Sequence, residues 1–97
     1  MDLERHGDTL TVRVRRDFNL MAVRHLKYHL EDATRIRIDL RRARLVDTAA
    51  VMALVRLMKA GLTIRLLDPP AIFYEVLEVL ELEGAFDVEE LVERKRS

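Results

Sequence analysis

Three segments of the chain alternate apolar and polar side chains with a period of two. They are Leu10-Thr11-Val12-Arg13-Val14-Arg15, Arg35-Ile36-Arg37-Ile38-Asp39-Leu40 and Leu62-Thr63-Ile64-Arg65-Leu66. Successive side chains of a strand point to opposite faces. Leu10, Val12, Val14, Ile36, Ile38, Leu40, Leu62, Ile64 and Leu66 therefore share one side of a sheet. Thr11, Arg13, Arg35, Arg37, Asp39, Thr63 and Arg65 share the other. Strands covered on both faces read as unbroken apolar runs, so this alternation predicts helices on one face and a wet, arginine-rich face opposite. Arg13, Arg37 and Arg65 are expected to form a stripe there. Such a stripe either solubilises the surface, paired with Asp39 and nearby glutamates, or attracts an anion or an acidic partner.

Between the strands the period lengthens. Leu20, Val23, Leu26 and Leu30 lie at helical spacing within 19–32, with Asp17 or Asn19 as the cap. Residues 49–60 form helix readily and stop at Gly61. Pro69-Pro70 enforces a turn, with Pro70 placed as a first helical residue, and a third helix spans 72–82, ended by Gly84. Val88, Leu91 and Val92 suggest a short fourth helix before a charged tail, 93–97, and Leu3 suggests a weak leading strand over 1–6. The predicted order is β(β)αβαβαα. The segment 36–66 is a βαβ unit whose crossover should be right-handed. The fold class that follows is α/β: a single two-layer domain over 1–97, with a mixed four- to five-stranded sheet covered by helices on one face.

Ninety-seven residues suffice for one modest core. Seventeen basic and seventeen acidic residues give a net charge of zero, which argues against a nucleic-acid binder or a polybasic membrane surface. With no cysteine, disulfide and thiol chemistry are excluded, and a reducing compartment is the natural home. No stretch approaches the roughly 18 apolar residues of a membrane span. The acidic start, Met1-Asp2-Leu3-Glu4, does not resemble a signal peptide. The expectation is a soluble cytoplasmic domain without membrane insertion.

The helix that opens at Asp47-Thr48 is unusually apolar. Val51, Leu54, Val55 and Met58 suffice to cover the sheet, which leaves Ala49, Met52, Ala53, Arg56 and Lys59 on the other side. Ala49, Met52, Ala53 and Arg56 follow the i, i+3, i+4, i+7 spacing of one stripe. Either neighbouring helices cover it, or it is a partner-binding patch rimmed by Arg56 and Lys59. Asp47 and Thr48 carry a parallel ambiguity. Either one caps the helix by accepting a backbone N–H, or Thr48 accepts a phosphate. A helix N-terminus tolerates that charge, whereas a docked apolar partner would not. Arg41, Arg42 and Arg44 flank the loop leading into this step and are placed to steer an acidic partner or pair with a phosphate.

The whole arrangement resembles a STAS domain over about 8–92. That family includes the bacterial anti-sigma factor antagonists and the cytoplasmic tails of sulfate transporters. The residues that carry the resemblance are Ile38-Asp39-Leu40, then Leu45-Val46-Asp47-Thr48-Ala49-Ala50, then Lys59-Ala60-Gly61 before Leu62-Thr63-Ile64-Arg65-Leu66. Ala50 stands where the family usually has glycine, and Ala49 where a small polar residue is frequent. The resemblance implies a non-catalytic signal-transduction module acting in transcription regulation. Thr48 would be the phosphoacceptor, and the partner-binding residues would be Asp47, Thr48, Ala49, Met52, Ala53 and Arg56. The implied partner is an anti-sigma factor that is also a serine kinase. A second branch of the family implies instead a small subunit of a lipid-transport ABC system, contacting its ATPase subunit; self-association into a homodimer stays open. No cofactor and no metal are expected.

Two other features bear on the chemistry. His25 and His29 lie four residues apart on one helix, with Asp32 as the best-placed acidic helper for a metal, although solvated side chains need no further explanation. An enzyme or small-ligand binder lacks support in a chain with no cysteine, no glycine-rich phosphate loop and no clustered His, Asp and Glu.

Overall fold

The computed structural model describes residues 1–90. A five-stranded sheet has the order β1-β2-β4-β6-β7, formed by β1 (Asp2–His6), β2 (Thr9–Arg13), β4 (Arg35–Asp39), β6 (Thr63–Leu67) and β7 (Asp87–Glu89). β1 runs antiparallel to β2 and every other neighbour pair is parallel, so the sheet is mixed as expected. The helices are α1 (Leu20–Tyr28), α2 (Thr48–Lys59) and α3 (Ala71–Val79). The inner face of the sheet carries Leu10, Val12, Ile36, Ile38, Ile64 and Leu66, all buried against the helices. The outer face leaves Arg13, Arg35, Thr63 and Arg65 exposed. Thr11 and Asp39 depart from that pattern and are buried. Thr11 lies in register between Glu4 and Arg37, whose longer side chains flank it.

Helix ends account for several differences from the sequence reading. Asn19, not Asp17, caps α1, its Oδ1 accepting from the Ala22 N–H at 2.9 Å. α2 ends with Gly61 at φ 106°, where Gly61 N donates to Met58 O and Leu62 N donates to Leu57 O. This paired arrangement satisfies the last carbonyls and requires a left-handed residue after the cap. α3 closes in the same way, but with Glu81 in the left-handed position at φ 56° and Leu82 N donating to Leu77 O at 2.8 Å. The third helix therefore stops at Val79 and not at 82, and Gly84 belongs to the following turn. Pro70, with ψ 165°, is the cap of α3 and not its first helical residue.

The expected helix around Val88 is instead the edge strand β7, parallel to β6. Its alternation continues the sheet, and Asp68 N donates to Glu89 O at 2.7 Å. Leu91, Val92 and the charged segment 93–97 lie outside the described residues. No helix among the described residues is long and apolar enough to cross a membrane.

A second, two-stranded sheet has no counterpart in the sequence pattern. β3 (Asp17–Phe18) pairs in parallel with β5 (Leu45–Val46). It joins the two loops that leave β2 and β4, and it sets where α1 and α2 begin.

Candidate functional site

The start of α2 is built from three connected pieces. Asp39, the last residue of β4, accepts from the Arg41 backbone N–H at 3.1 Å and from the Arg41 guanidinium at 3.2 and 2.9 Å. Burial opposes ionisation of Asp39. The donated hydrogen bonds and the positive charge of Arg41 outweigh it and hold the carboxyl below its ordinary range. This clasp, with Leu40 N donating to Leu67 O, fixes the loop that leaves the sheet. Arg44 N and Leu45 N then both donate to Arg16 O, and Asp47 N donates to Phe18 O at 2.9 Å. Phe18 itself is fully buried, so the short β3–β5 ribbon is anchored in the core.

Asp47 then turns the chain into the helix. Its backbone is extended and its Oδ1 accepts from Ala49 N at 3.1 Å, while its carbonyl accepts from Ala50 N and Val51 N. Asp47 is therefore the cap, and Thr48 is the first helical residue. Thr48 is exposed, and among the described residues nothing hydrogen-bonds its hydroxyl. Ala50 is wholly buried, so its methyl group occupies the core rather than obstructing the helix start.

The expected outward stripe divides. Met52 is 36% exposed, Arg56 and Lys59 are exposed, and Ala49 is half-buried. Ala53 is only 9% exposed, because α1 lies beside it. It lines an open groove of about 330 Å³ between the helices, with Leu20, Val23, Arg24, Arg56 and Leu57 also on the walls. The surface at this end is extended instead by Leu45, which is 59% exposed one residue before Val46. The two-residue ribbon turns Val46 inward and Leu45 out, and two residues are too few to show a period in the sequence. Beside Leu45, a shallow depression is lined by Arg15, Arg16, Asp17 and Arg44. Arg15 is paired with Asp2 at 2.7 Å, and Arg41 is spent on Asp39.

This arrangement of strands and helices is shared with proteins of known structure. The anti-sigma factor antagonist SpoIIAA, solved in its unphosphorylated form, superposes with a TM-score of 0.68 at 17% identity, covering 94% of this chain and 88% of that one. A crystal structure of a protein from Thermotoga maritima assigned to the anti-sigma factor antagonists gives 0.72 at 14% identity, covering 94% and 86%. This is the STAS fold. An NMR structure of the same Thermotoga protein, TM1081, gives 0.71 at 14% identity, covering 91% of this chain and 78% of that one. No protein-family model and no curated protein sequence matches the chain.

The histidine pair does not extend to a third ligand on this STAS scaffold. The His25 and His29 rings lie 4.7 Å apart, and His29 Nδ1 is 2.9 Å from His25 O. Asp32, the expected helper, is committed to Arg5 at 2.6 Å. Among the described residues no group of three or more metal-ligating side chains is brought together.

Proposed function

We propose that the protein is a non-catalytic interaction module of the anti-sigma factor antagonist type, docking a protein partner through the start of α2 and released by phosphorylation of Thr48. One observation carries this reading. Asp47 performs the capping, which leaves the Thr48 hydroxyl exposed and, among the described residues, without a hydrogen-bond partner at the centre of the candidate surface. The STAS fold supports it, since SpoIIAA and the Thermotoga protein share that fold and are described as anti-sigma factor antagonists.

The docking surface comprises Asp47, Thr48, Ala49, Met52 and Arg56, extended by Leu45, with Ala53 on the groove wall beside it. Met52 and Leu45 supply adaptable apolar contact. A phosphate on Thr48 adds about −1.5 to −2 charge at neutral pH. At the N-terminus of α2 that charge is compatible with the helix dipole, so the fold survives. In an apolar interface the same charge must be desolvated, which expels the partner. The chemistry of transfer belongs to the kinase, and this chain supplies only the acceptor oxygen.

The test is incubation with an anti-sigma kinase and ATP, followed by mass spectrometry and binding measurements. Phosphate should appear on Thr48 and not on a Thr48→Ala variant, and Thr48→Glu should weaken binding at least tenfold. Absence of modification, together with full binding by Thr48→Glu, would sink the switch.

A further inference from the structure

The uncovered face of the sheet holds a cluster that the docking reading does not use. The parallel register places Arg37 on β4 directly beside Arg65 on β6, and Arg35 beside Thr63 one step along. Adjacent strands are about 4.8 Å apart, so two guanidinium stems stand side by side, an arrangement that is destabilising when nothing lies between the charges. Arg13 sits one row away, opposite Asp39 and near Glu4 at 3.7 Å, so the expected stripe becomes a cluster of Arg35, Arg37 and Arg65. Internal neutralisation is thin. Among the described residues one carboxylate, Glu89, lies within ion-pair distance of both Arg65, at 3.4 Å, and Arg37, at 3.9 Å, while Asp87 stands in register beside Arg65. Arg35 has no carboxylate partner among the described residues.

These side chains enclose an open depression of about 150 Å³, walled by Arg35, Arg37, Arg65, Thr63, Thr9 and Ile36. The Thr9 hydroxyl already donates to Asp8 at 3.1 Å, whereas that of Thr63 has no protein partner among the described residues. The polar groups that line it and remain free to bind are donors: three planar guanidinium forks and one hydroxyl. That set matches the several oxygens of a tetrahedral oxyanion better than it matches a single carboxylate.

We propose that the outer face of the sheet is an anion site for a free phosphate or diphosphate group, held between Arg35, Arg37 and Arg65 with Thr63 at its rim. Glu89 acts as the internal competitor. It occupies Arg37 and Arg65 when the anion is absent and yields them when it binds. The site is separate from Thr48 and does not depend on the docking reading.

The test is a titration of the full chain with inorganic phosphate and with pyrophosphate at constant ionic strength, followed by amide and arginine side-chain NMR shifts. Saturable shifts are expected at Arg35, Arg37, Thr63 and Arg65. Glu89→Gln should tighten binding at least threefold by freeing both arginines, and Arg37→Gln or Arg65→Gln should weaken it at least tenfold. The proposal is overturned by shifts that fail to saturate, by equal affinity in Glu89→Gln and Arg37→Gln, or by shifts centred on Arg16 and Arg44. It is likewise overturned if a glutamate-rich peptide binds this face and pyrophosphate does not. Because Glu89→Gln predicts a gain, loss of folding in an arginine variant cannot be mistaken for support.

Discussion

Replacing Asp47 and Thr48 one at a time separates folding from docking at the start of α2. Asp47→Ala removes the bond that Ala49 N donates to Oδ1 and leaves that N–H to water. Loss of such a cap costs about 0.5–2 kcal/mol. This cap is exposed, so water replaces it in part, and a cost of about 1 kcal/mol is expected. For a domain of this size that lowers Tm by about 4–8 °C. Thr48→Ala removes a hydroxyl that bonds to nothing described, and replaces a β-branched residue by a better helix former. Its stability should stay within about 0.5 kcal/mol of the parent. Thr48→Glu adds a charge that the helix dipole favours and the neighbouring Asp47 opposes, so it too should stay within about 0.5 kcal/mol. The assay is urea denaturation followed by far-UV circular dichroism, with equal slopes confirming a common unfolded state. A Thr48→Ala cost of about 1 kcal/mol or more, with Asp47→Ala nearly neutral, would refute the assignment of the cap.

Two further outcomes test the scaffold around the site. Because the Asp39 pKa is depressed in the folded protein, its ion pair stabilises the fold above the unfolded pKa of about 3.9 and is lost as pH falls through the folded value. Urea midpoints should therefore fall below about pH 4, and Arg41→Gln should make that fall shallower; Asp2 and Asp32, held low by Arg15 and Arg5, keep their own share of it. Phe18→Ala removes a wholly buried ring beneath the β3–β5 ribbon and should cost about 3–5 kcal/mol. Wherever the variant still folds, hydrogen exchange at the Asp47 amide should lose its protection, and unchanged exchange would contradict the anchoring role of the ribbon.

The three central strands and all three helices were legible because each carries a long, one-sided pattern: Ile36 and Ile38 against Arg35 and Arg37, or Val51, Leu54, Val55 and Met58 along α2, although Val55 and Met58 are only half-buried and Leu57 is buried in their place. Where the pattern was short, non-local partners decided. Val88 fits a period of two with Asp87 and Glu89, but it also fits helical spacing with Leu91 and Val92; the open edge of β6 selects the strand. Leu82 continues the helical period of α3, yet it packs back as the apolar residue of a left-handed stop, a position that Glu81 fills without the usual glycine. At the candidate site, the sequence marked Asp47 and Thr48 but left their roles open. Which of them caps depends on where the chain enters the helix, and that is set by the bond from Asp47 N to Phe18 O. Ala53 lay on the expected outer stripe of α2, but the packing of α1 beside it was invisible to periodicity.

The strand order β1-β2-β4-β6-β7 rises monotonically with chain position. No strand of the main sheet has to be threaded between two that are already paired. During synthesis each new strand can join the single growing edge, while the helix preceding it closes over the inner face, so the domain is suited to vectorial assembly as the chain emerges. Until residues 87–89 arrive, the backbone groups of β6 stay available to any passing strand. The strand β7 closes that edge of β6, and the edge it presents in turn is only three residues long, which leaves little for a passing strand to pair with.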